Sequence, residues 1–158
     1  MTGWRPWRRS RYGCWLAFGF ALVLLGWSLA AAAADLSPAG NPWVTIRLGE
    51  TQVRAEVVAT PAKLYLGLGG RRDLPWGTGM LFVFPTREVQ VFCMRGMLLP
   101  IDIIWIDQGR ISGFHENRQP QDPDNFPSPG PVDLVLEVPA GFVAATGLRP
   151  GLPVVLGP

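Results

Sequence analysis

The chain has 158 residues, and its 14 Lys and Arg against 12 Asp and Glu give a formal charge of +2. Four of the basic residues lie among the first eleven, so residues 35–158 keep 10 basic and 12 acidic residues, a formal charge of −2. A mildly acidic chain without a run of basic residues argues against a nucleic-acid partner, and one His with two Cys does not supply the ligands of the familiar zinc sites. We therefore expect no nucleic acid, no metal and no cofactor.

Residues 1–34 have the three parts of a secretory signal peptide. The first fourteen contain Arg5, Arg8, Arg9 and Arg11 and no acid, residues 15–29 are almost entirely apolar, and residues 30–34 are all alanine. Basic residues stay on the cytoplasmic side of a membrane, and small side chains suit a signal peptidase, so we predict cleavage after Ala34. The alternative is an uncleaved anchor, because about 20 residues without charge can span a bilayer. Both place the domain outside the cytoplasm, in the periplasm or outside the cell.

Only Cys93 follows the predicted cleavage point, so no intramolecular disulfide is available and the domain depends on its hydrophobic core. Cys14 precedes the apolar run and is not placed as the lipid-attachment cysteine of a lipoprotein. The Arg8-Arg9 pair matches a twin-arginine signal only weakly, because Ser10 and Arg11 follow it instead of apolar residues. Residues 43–158 have the size of one domain.

In the first half of the domain, apolar residues recur with the spacing of strands. The predicted strands are residues 44–48 and 53–57, which form a hairpin, then 79–85 and 89–94, with a turn at 86–88. Thr60 and Pro61 predict the start of a short helix that Gly69 and Gly70 end. Before the hairpin, residues 35–42 are rich in Pro, Gly, Ser and Asn and predict a flexible lead-in.

The second half contains the longest predicted loop. Residues 117–131 hold five prolines, too many for a helix or a central strand. Around this loop the predicted strands are 101–106, 110–116, 132–138 and 152–156, with a hairpin loop at 107–109 and a short helix at 139–146. The whole pattern predicts a mostly β (α+β) domain of about seven strands and two short helices.

Three segments resemble the DUF192 family of bacterial and archaeal domains of unknown function. They are TPAKLYLGLGGRRDLPWGTGMLFVFP at 60–85, FCMRGMLLPIDIIWIDQGRI at 92–111, and FPSPGPVDLVLEVPAGF at 126–142 followed by GLRPG at 147–151. The resemblance extends from about residue 44 to residue 156. It implies a compact β-barrel-like fold with short helices, often behind a signal peptide, and it carries no established reaction.

Residues 92–97 depart from the family pattern. Members usually have Phe-Trp-Met-Lys-Asn-Thr there, whereas this chain has Cys93, Gly96 and Met97 in place of Trp, Asn and Thr. If those three family residues form a ligand surface, this chain has lost three contacts. The residues that match the family elsewhere are Pro100, Asp102, Pro127, Ser128 and Glu137.

Asp102 lies in the apolar run LLPIDIIWI, where an uncompensated carboxylate costs several kcal/mol. Arg95 is the nearest basic residue in sequence, so we expect an Arg95–Asp102 pair that either orients a ligand or ties two strands together. Glu137 lies in a similar run and needs a partner, for which a loop amide is a candidate, or a face open to water.

The other candidate residues each have an ordinary structural explanation. His115, at a strand end, is a potential acid or base or simply a solvated side chain. Ser128 lies between Pro127 and Pro129 and fits a loop-fixing hydroxyl better than a nucleophile. Cys93 fits a small apolar residue better than a reactive thiol. Four aromatic residues suit either a sugar-binding surface or, by preference, the core: Trp43, Trp76, Trp105 and Phe114.

Three functional hypotheses follow. The first is a non-catalytic binding or accessory module of the cell envelope, with Arg95, Asp102 and the 117–131 loop in contact with an unidentified ligand or protein. The second is a hydrolase-type enzyme that uses Asp102 with His115 or Glu137 as acid and base. The third is a structural remnant without a ligand. The first is preferred because it needs no constellation that the sequence lacks.

Overall fold

The computed structural model describes residues 35–157; the predicted leader, residues 1–34, lies outside this range, as does Pro158. Within residues 35–157 the chain forms nine strands and two short helices, which confirms the mostly β prediction. The strands are β1 (Trp43–Leu48), β2 (Thr51–Val58), β3 (Thr78–Glu88), β4 (Val91–Cys93), β5 (Ile101–Asp107), β6 (Arg110–Arg118), β7 (Asn125–Pro127), β8 (Val132–Pro139) and β9 (Val154–Gly157). The helices are α1 (Pro61–Leu66) and α2 (Phe142–Thr146).

Seven strands form one curled sheet, a half-barrel, in the order β6-β5-β8-β3-β2-β1-β9. β2 and β3 pair in parallel, and the chain crosses between them through α1. The two edge strands approach each other where the Ile111 amide donates to the Leu152 carbonyl at 3.0 Å and the Val154 amide to the Gly109 carbonyl at 2.8 Å. The sheet therefore curls far enough for one end of β6 to meet the chain that leads into β9.

The remaining two strands, β4 and β7, pair with each other in a separate antiparallel ribbon. The sequence prediction was wrong here in two respects. β3 continues to Glu88, through the predicted turn, because its pairing with β8 passes over Pro85 in an irregular stretch and resumes at Val132. The proline-rich loop contains β7, because a short ribbon outside the main sheet tolerates Pro127 at a strand end.

The two faces of the main sheet carry separate hydrophobic cores. The core inside the curl takes residues from all seven strands and from α2, among them Ile46, Ala55, Leu81, Ile104, Leu136 and Phe142. The core on the outer face is covered by α1 and by the β4–β7 ribbon, and it includes Met80, Phe82, Ile103, Trp105 and Val135. Alternation along each strand decides which core a residue joins.

Hydrogen bonds connect the lead-in at 35–42 to the domain. The side chains of Ser37 and Asn41 are buried, and each donates to the Glu56 carboxylate at 2.8 Å. Arg71 donates to the same oxygen at 2.8 Å. Burial alone would raise the pKa of Glu56, but the hydrogen bonds from Arg71, Asn41 and Ser37 outweigh it and lower the pKa. The composition of the lead-in could not show these hydrogen bonds, because their acceptor, Glu56, is distant in sequence.

Candidate functional site

Asp102 connects three elements of the fold on the inner face of the sheet. It pairs with Val138 on the face of the inner core and is completely buried. Its oxygens accept backbone amide hydrogens from Asn117 at 2.7 Å, Gly141 at 3.1 Å and Val143 at 2.8 Å. These charge-assisted bonds connect β5 to the end of β6 and to the start of α2. The predicted Arg95–Asp102 pair is therefore wrong, because three backbone amides occupy the carboxylate and Arg95 is exposed.

The outer face carries a row of polar and apolar residues across the sheet. Glu137 on β8 lies opposite Ile103 on one side and Met80 on the other. His115 lies beyond Ile103, and Glu56 lies beyond Met80. Because neighbouring strands are about 4.8 Å apart, each of these two is roughly 10 Å from Glu137, measured between backbones. The outer face thus holds three titratable groups separated by apolar residues.

Asp102 does not share a site with His115 or Glu137. Residues 102 and 103 point to opposite faces of β5, so the Asp102 carboxylate faces the inner core while Glu137 and His115 share the outer face. The predicted acid and base of the hydrolase hypothesis do not converge in one pocket. The requirement for that chemistry is therefore not met by this set of residues.

Glu137 is a buried acid without a partner. The residue is 5% exposed, and Oε2 has no hydrogen-bond partner among residues 35–157. Burial raises the pKa of Glu137 to about 8, so the side chain is mostly a neutral carboxylic acid at pH 7. The loop amide predicted as its partner is absent from the described residues. A neutral acid can donate one hydrogen bond and accept others.

Glu137 lines a cleft of about 600 Å³ on the outer face, within the size range of small-molecule sites. One wall is α1 with the glycine-rich turn after it, and the other is β4 with the turn at 94–97. Phe82 and Phe84 of β3 also line it. The Gly70 amide donates to the Gly96 carbonyl at 2.9 Å and so connects the two walls. The lining is mainly apolar, from Leu64, Leu66, Leu68, Phe82, Phe84, Val91, Phe92 and Met97.

The turn after α1 depends on its glycines. Gly67 ends the helix with φ +51° and ψ −133°, a conformation that is essentially restricted to glycine. A Cβ at Gly67 would lie 3.2 Å from the Phe82 ring, so the missing side chain also lets the turn pack against the cleft. At Gly69 a Cβ would lie 2.8 Å from the Leu66 carbonyl oxygen. Because both positions exclude a side chain, the turn keeps its shape as a wall of the cleft.

Three other polar side chains of the cleft matter for its chemistry. The Nε2 atom of Gln90 is buried without a partner among residues 35–157, while Arg95 and the Cys93 thiol are exposed. Ser128 fixes the backbone of Gln90: its hydroxyl accepts from the Gln90 amide at 3.1 Å, and its own amide donates to the Gln90 carbonyl at 2.9 Å. The Ser128 hydroxyl also donates to the Gly130 carbonyl at 2.6 Å. Ser128 is therefore the loop-fixing hydroxyl expected, and it holds a cleft residue.

His115 belongs to an aromatic cluster next to the cleft. Its ring lies 5.7 Å from that of Trp105 and 5.3 Å from that of Phe126, both edge to face. Burial lowers the pKa of His115, and the charge of Arg118 lowers it further, so the imidazole is neutral at pH 7. His115 is not among the residues that line the cleft. It packs as an aromatic residue, not as a base facing a ligand.

The four aromatic residues proposed for a sugar surface do not form one. Trp105 is completely buried in the outer core, and Phe114 packs against the inner core. Trp43 is covered by the Arg54 guanidinium at 4.5 Å, and Trp76 contacts the ring of Phe142 at 5.2 Å. Core packing, the preferred prediction, holds for Trp105 and Phe114.

Sequence reasoning found one cleft acid and missed most of its surroundings. Glu137, Arg95 and Cys93 were singled out, but Cys93 is exposed and not the small core residue expected. Gln90 and the glycine-rich turn were not assigned to a site. The run GLGG at 67–70 was a usable signal, because such a run allows close approach of backbone to a ligand or a neighbouring element.

The described part of the chain can be checked for metal sites and for membrane-spanning helices. No group of three or more His, Cys, Asp or Glu in residues 35–157 is arranged to hold a metal ion. No helix within the same residues is long and apolar enough to cross a membrane.

Comparison with known proteins identifies the domain. A family model, DUF192 (Uncharacterized ACR), matches residues 44–156, which is more than half of the chain. The chain belongs to the DUF192 family. This DUF192 domain has no match among curated proteins.

Two solved structures resemble the DUF192 domain closely. A protein of unknown function from Novosphingobium aromaticivorans DSM 12444 is 30% identical, with a TM-score of 0.75 over 79% of this chain and 94% of that one. A protein from Sinorhizobium meliloti 1021, provisionally described as a transcription regulator, is also 30% identical, with a TM-score of 0.70 over 73% of this chain and 95% of that one. Both span the domain, and neither has an established activity in its description.

All three departures from the DUF192 pattern lie in the cleft. Cys93, Gly96 and Met97 line it, whereas the retained Phe92 packs edge to face on Phe82 at 4.9 Å and Met94 is buried in the outer core. Gly96 has φ +74°, a conformation that Asn also tolerates better than most residues. The backbone of the segment is therefore compatible with both sequences, and the differences change the cleft surface.

Proposed function

We propose that this DUF192 domain is a non-catalytic binding module and that the cleft between α1 and β4 is its ligand site. The observation that carries the proposal is Glu137, an unpartnered acid that is 95% buried and faces an apolar cleft of ligand size. Burying a polar group without a partner costs free energy, so a fold gains nothing from it unless something supplies the missing hydrogen bond.

The same observation weighs against the other two hypotheses. A structural remnant would have no reason to keep an unsatisfied acid beside an open cleft. The hydrolase hypothesis pairs Asp102 with His115 or Glu137, but Asp102 lies on the opposite face of the sheet from both, and His115 is two strands away from Glu137. The Asp102 carboxylate is occupied by three backbone amides.

DNA is not favoured as the partner. The provisional description of the Sinorhizobium meliloti protein would suggest it, but residues 35–158 carry 10 basic and 12 acidic residues. DNA binding relies on several Lys and Arg that neutralise phosphates. The cleft itself offers one charged base, Arg95, beside an apolar surface.

We also propose that the domain works outside the cytoplasm, with an envelope ligand or protein as partner. The basic, apolar and small-residue parts of residues 1–34 support this. The N-terminal sequence of protein recovered from cell fractions tests it: a mature chain beginning at Asp35 in the periplasm or medium supports cleavage, and the intact chain in the membrane fraction supports the anchor. Protein found only in the cytoplasm would refute export.

Protection of Cys93 from alkylation tests the binding site. Cys93 is exposed and lines the cleft, so a ligand in the cleft should slow its reaction, read from its peptide by mass spectrometry. Compounds that protect Cys93 should also raise the melting temperature of the protein. Val91→Trp, which narrows the cleft at its edge and keeps Cys93, should abolish both the protection and the melting shift, and the matched control Val155→Trp on exposed β9 should keep them. A broad panel in which no compound protects Cys93 would refute the proposed site.

A further inference from the structure

The polar groups of the cleft are mostly hydrogen-bond donors at neutral pH. Arg95 donates only, the free Nε2 of Gln90 donates, and the neutral acid of Glu137 has a proton to donate. Tyr65 and Cys93 add a hydroxyl and a thiol at exposed positions. A complementary ligand therefore presents acceptor oxygens to the cleft.

The apolar lining and Arg95 determine the chemistry of the rest of the ligand. Leucine, valine, methionine and phenylalanine side chains form most of the lining, and Leu66 and Val91 are 64% and 58% exposed at its edge. Such a surface gains free energy by covering an apolar chain. Arg95 is the one permanently charged side chain in the lining, so the cleft attracts an anion and repels a cation.

We infer that the cleft binds a monocarboxylate carried on an apolar chain, whose oxygens accept hydrogen bonds from Glu137 and Gln90 while Arg95 attracts its charge. This inference rests on the proposed binding role of the cleft and names its ligand class. The carboxylate supplies the acceptors that the two buried groups lack. The apolar chain covers the leucine and phenylalanine walls.

The charged surroundings of Glu137 determine how binding depends on pH. Met80 and Ile103 flank it on the neighbouring strands, so Glu56 with Arg71 on one side and His115 on the other do not contact it. Within the cleft the titratable or charged neighbours are Arg95, Tyr65 and Cys93. Glu137 loses its proton as the pH rises through about 8, and a carboxylate then faces the carboxylate of the ligand.

Titration calorimetry of the full chain with dodecanoate, below its micelle concentration, tests the inference. The protonated fraction of Glu137 falls from about nine-tenths at pH 7 to about one-tenth at pH 9, so binding should weaken about tenfold. Glu137→Gln keeps a donor without a titrating proton and should remove this pH dependence. The control Glu116→Gln, an exposed acid outside the cleft, should retain it.

Chain length and head group separate the inference from its alternatives. Affinity should rise about fourfold for each methylene from octanoate to dodecanoate. Arg95→Gln should weaken dodecanoate at low salt but not dodecanol, whereas Arg72→Gln should change neither, since Arg72 is exposed and outside the cleft lining. Dodecyltrimethylammonium should bind more weakly than dodecanoate.

Several outcomes would overturn the ligand class. The first is that the ammonium compound binds more tightly than dodecanoate and that its affinity rises above pH 8. The second is a dodecanoate affinity that is constant from pH 7 to 9. The third is protection of Cys93 by anionic lipid vesicles but not by dodecanoate. If another class of compound protects Cys93 and dodecanoate does not, the inference fails while the binding site stands. If no compound protects Cys93, both fail.

Discussion

Glu137 should make the domain less stable as the pH rises from acid to mildly alkaline. The residue is 5% exposed, and burial raises its pKa from 4.5 to about 8. In the unfolded chain the acid titrates near 4.5, so between these two values the folded protein holds a proton that the unfolded chain has lost. The contribution of protonated Glu137 to the free energy of unfolding is therefore complete below pH 4.5. It decreases between pH 4.5 and pH 8 and is lost above pH 8.

The size of the effect follows from the two pKa values. A difference between 4.5 and about 8 corresponds to about 5 kcal/mol, at about 1.4 kcal/mol for each pH unit. That is a large part of the 5–15 kcal/mol by which domains are usually stable. Glu137→Gln keeps the shape and polarity but cannot lose a proton. Its free energy of unfolding should therefore lack this pH-dependent contribution.

Urea unfolding between pH 5 and pH 9 measures the effect. The free energy of unfolding of the wild type, minus that of Glu137→Gln, should fall by about 1.4 kcal/mol per pH unit and level off above pH 8. The subtraction removes the contributions of His115 and Glu56, which titrate equally in both proteins. A difference that stays constant across this range would show that Glu137 is ionised in the folded state, and the argument for a neutral donor in the cleft would fail.

Three further predictions concern the groups around the site. Asp102→Ala leaves three backbone amides without an acceptor and should lower the free energy of unfolding by about 3–5 kcal/mol in urea; a loss under 1 kcal/mol would contradict the role of Asp102. Glu56→Gln should cost about 1–2 kcal/mol at pH 7 through the weakened bond from Arg71, and because the folded pKa is lowered, this cost should vanish as the pH falls below 4.5; a cost that persists in acid would refute it. Ser128→Ala should lose about 1 kcal/mol of stability and weaken ligand protection of Cys93, because it frees the Gln90 backbone; unchanged protection would separate Ser128 from the site.

The fold was largely predictable because its signals are local. Alternation marked β1 and β2, and apolar runs marked β3, β5 and β8. The hairpin loop predicted at 107–109 is shorter by one residue, because Asp107 pairs with Arg110 and leaves the two-residue turn Gln108-Gly109 with φ of +47° and +71°. The errors came from pairing partners distant in sequence. β3 continues to Glu88 because Val132 pairs there, and β7 exists because β4 lies beside it. No local pattern contains that information.

The candidate site was less predictable for the same reason. Asp102 and Glu137 look alike in sequence, since each is an acid within an apolar strand. Glu137 lies opposite Ile103, so strand alternation places Asp102 and Glu137 on opposite faces of the sheet. Alternation does not show which other elements pack on each face. The amides of Gly141 and Val143 donate to Asp102, whereas Glu137 lines the cleft. That difference arises only from the arrangement of α1, α2 and the β4–β7 ribbon.

The contrast between these two acids is the strongest argument that the cleft has a ligand. Both are about equally buried, so both are costly to remove from water. For Asp102 the fold supplies three donors and thereby gains a connection between β5, β6 and α2. For Glu137 the same chain supplies no partner to Oε2 within residues 35–157 and leaves the acid at the surface of a cavity. The fold thus satisfies Asp102 from within, and the ligand that we propose for the cleft would supply the hydrogen bond that Glu137 lacks.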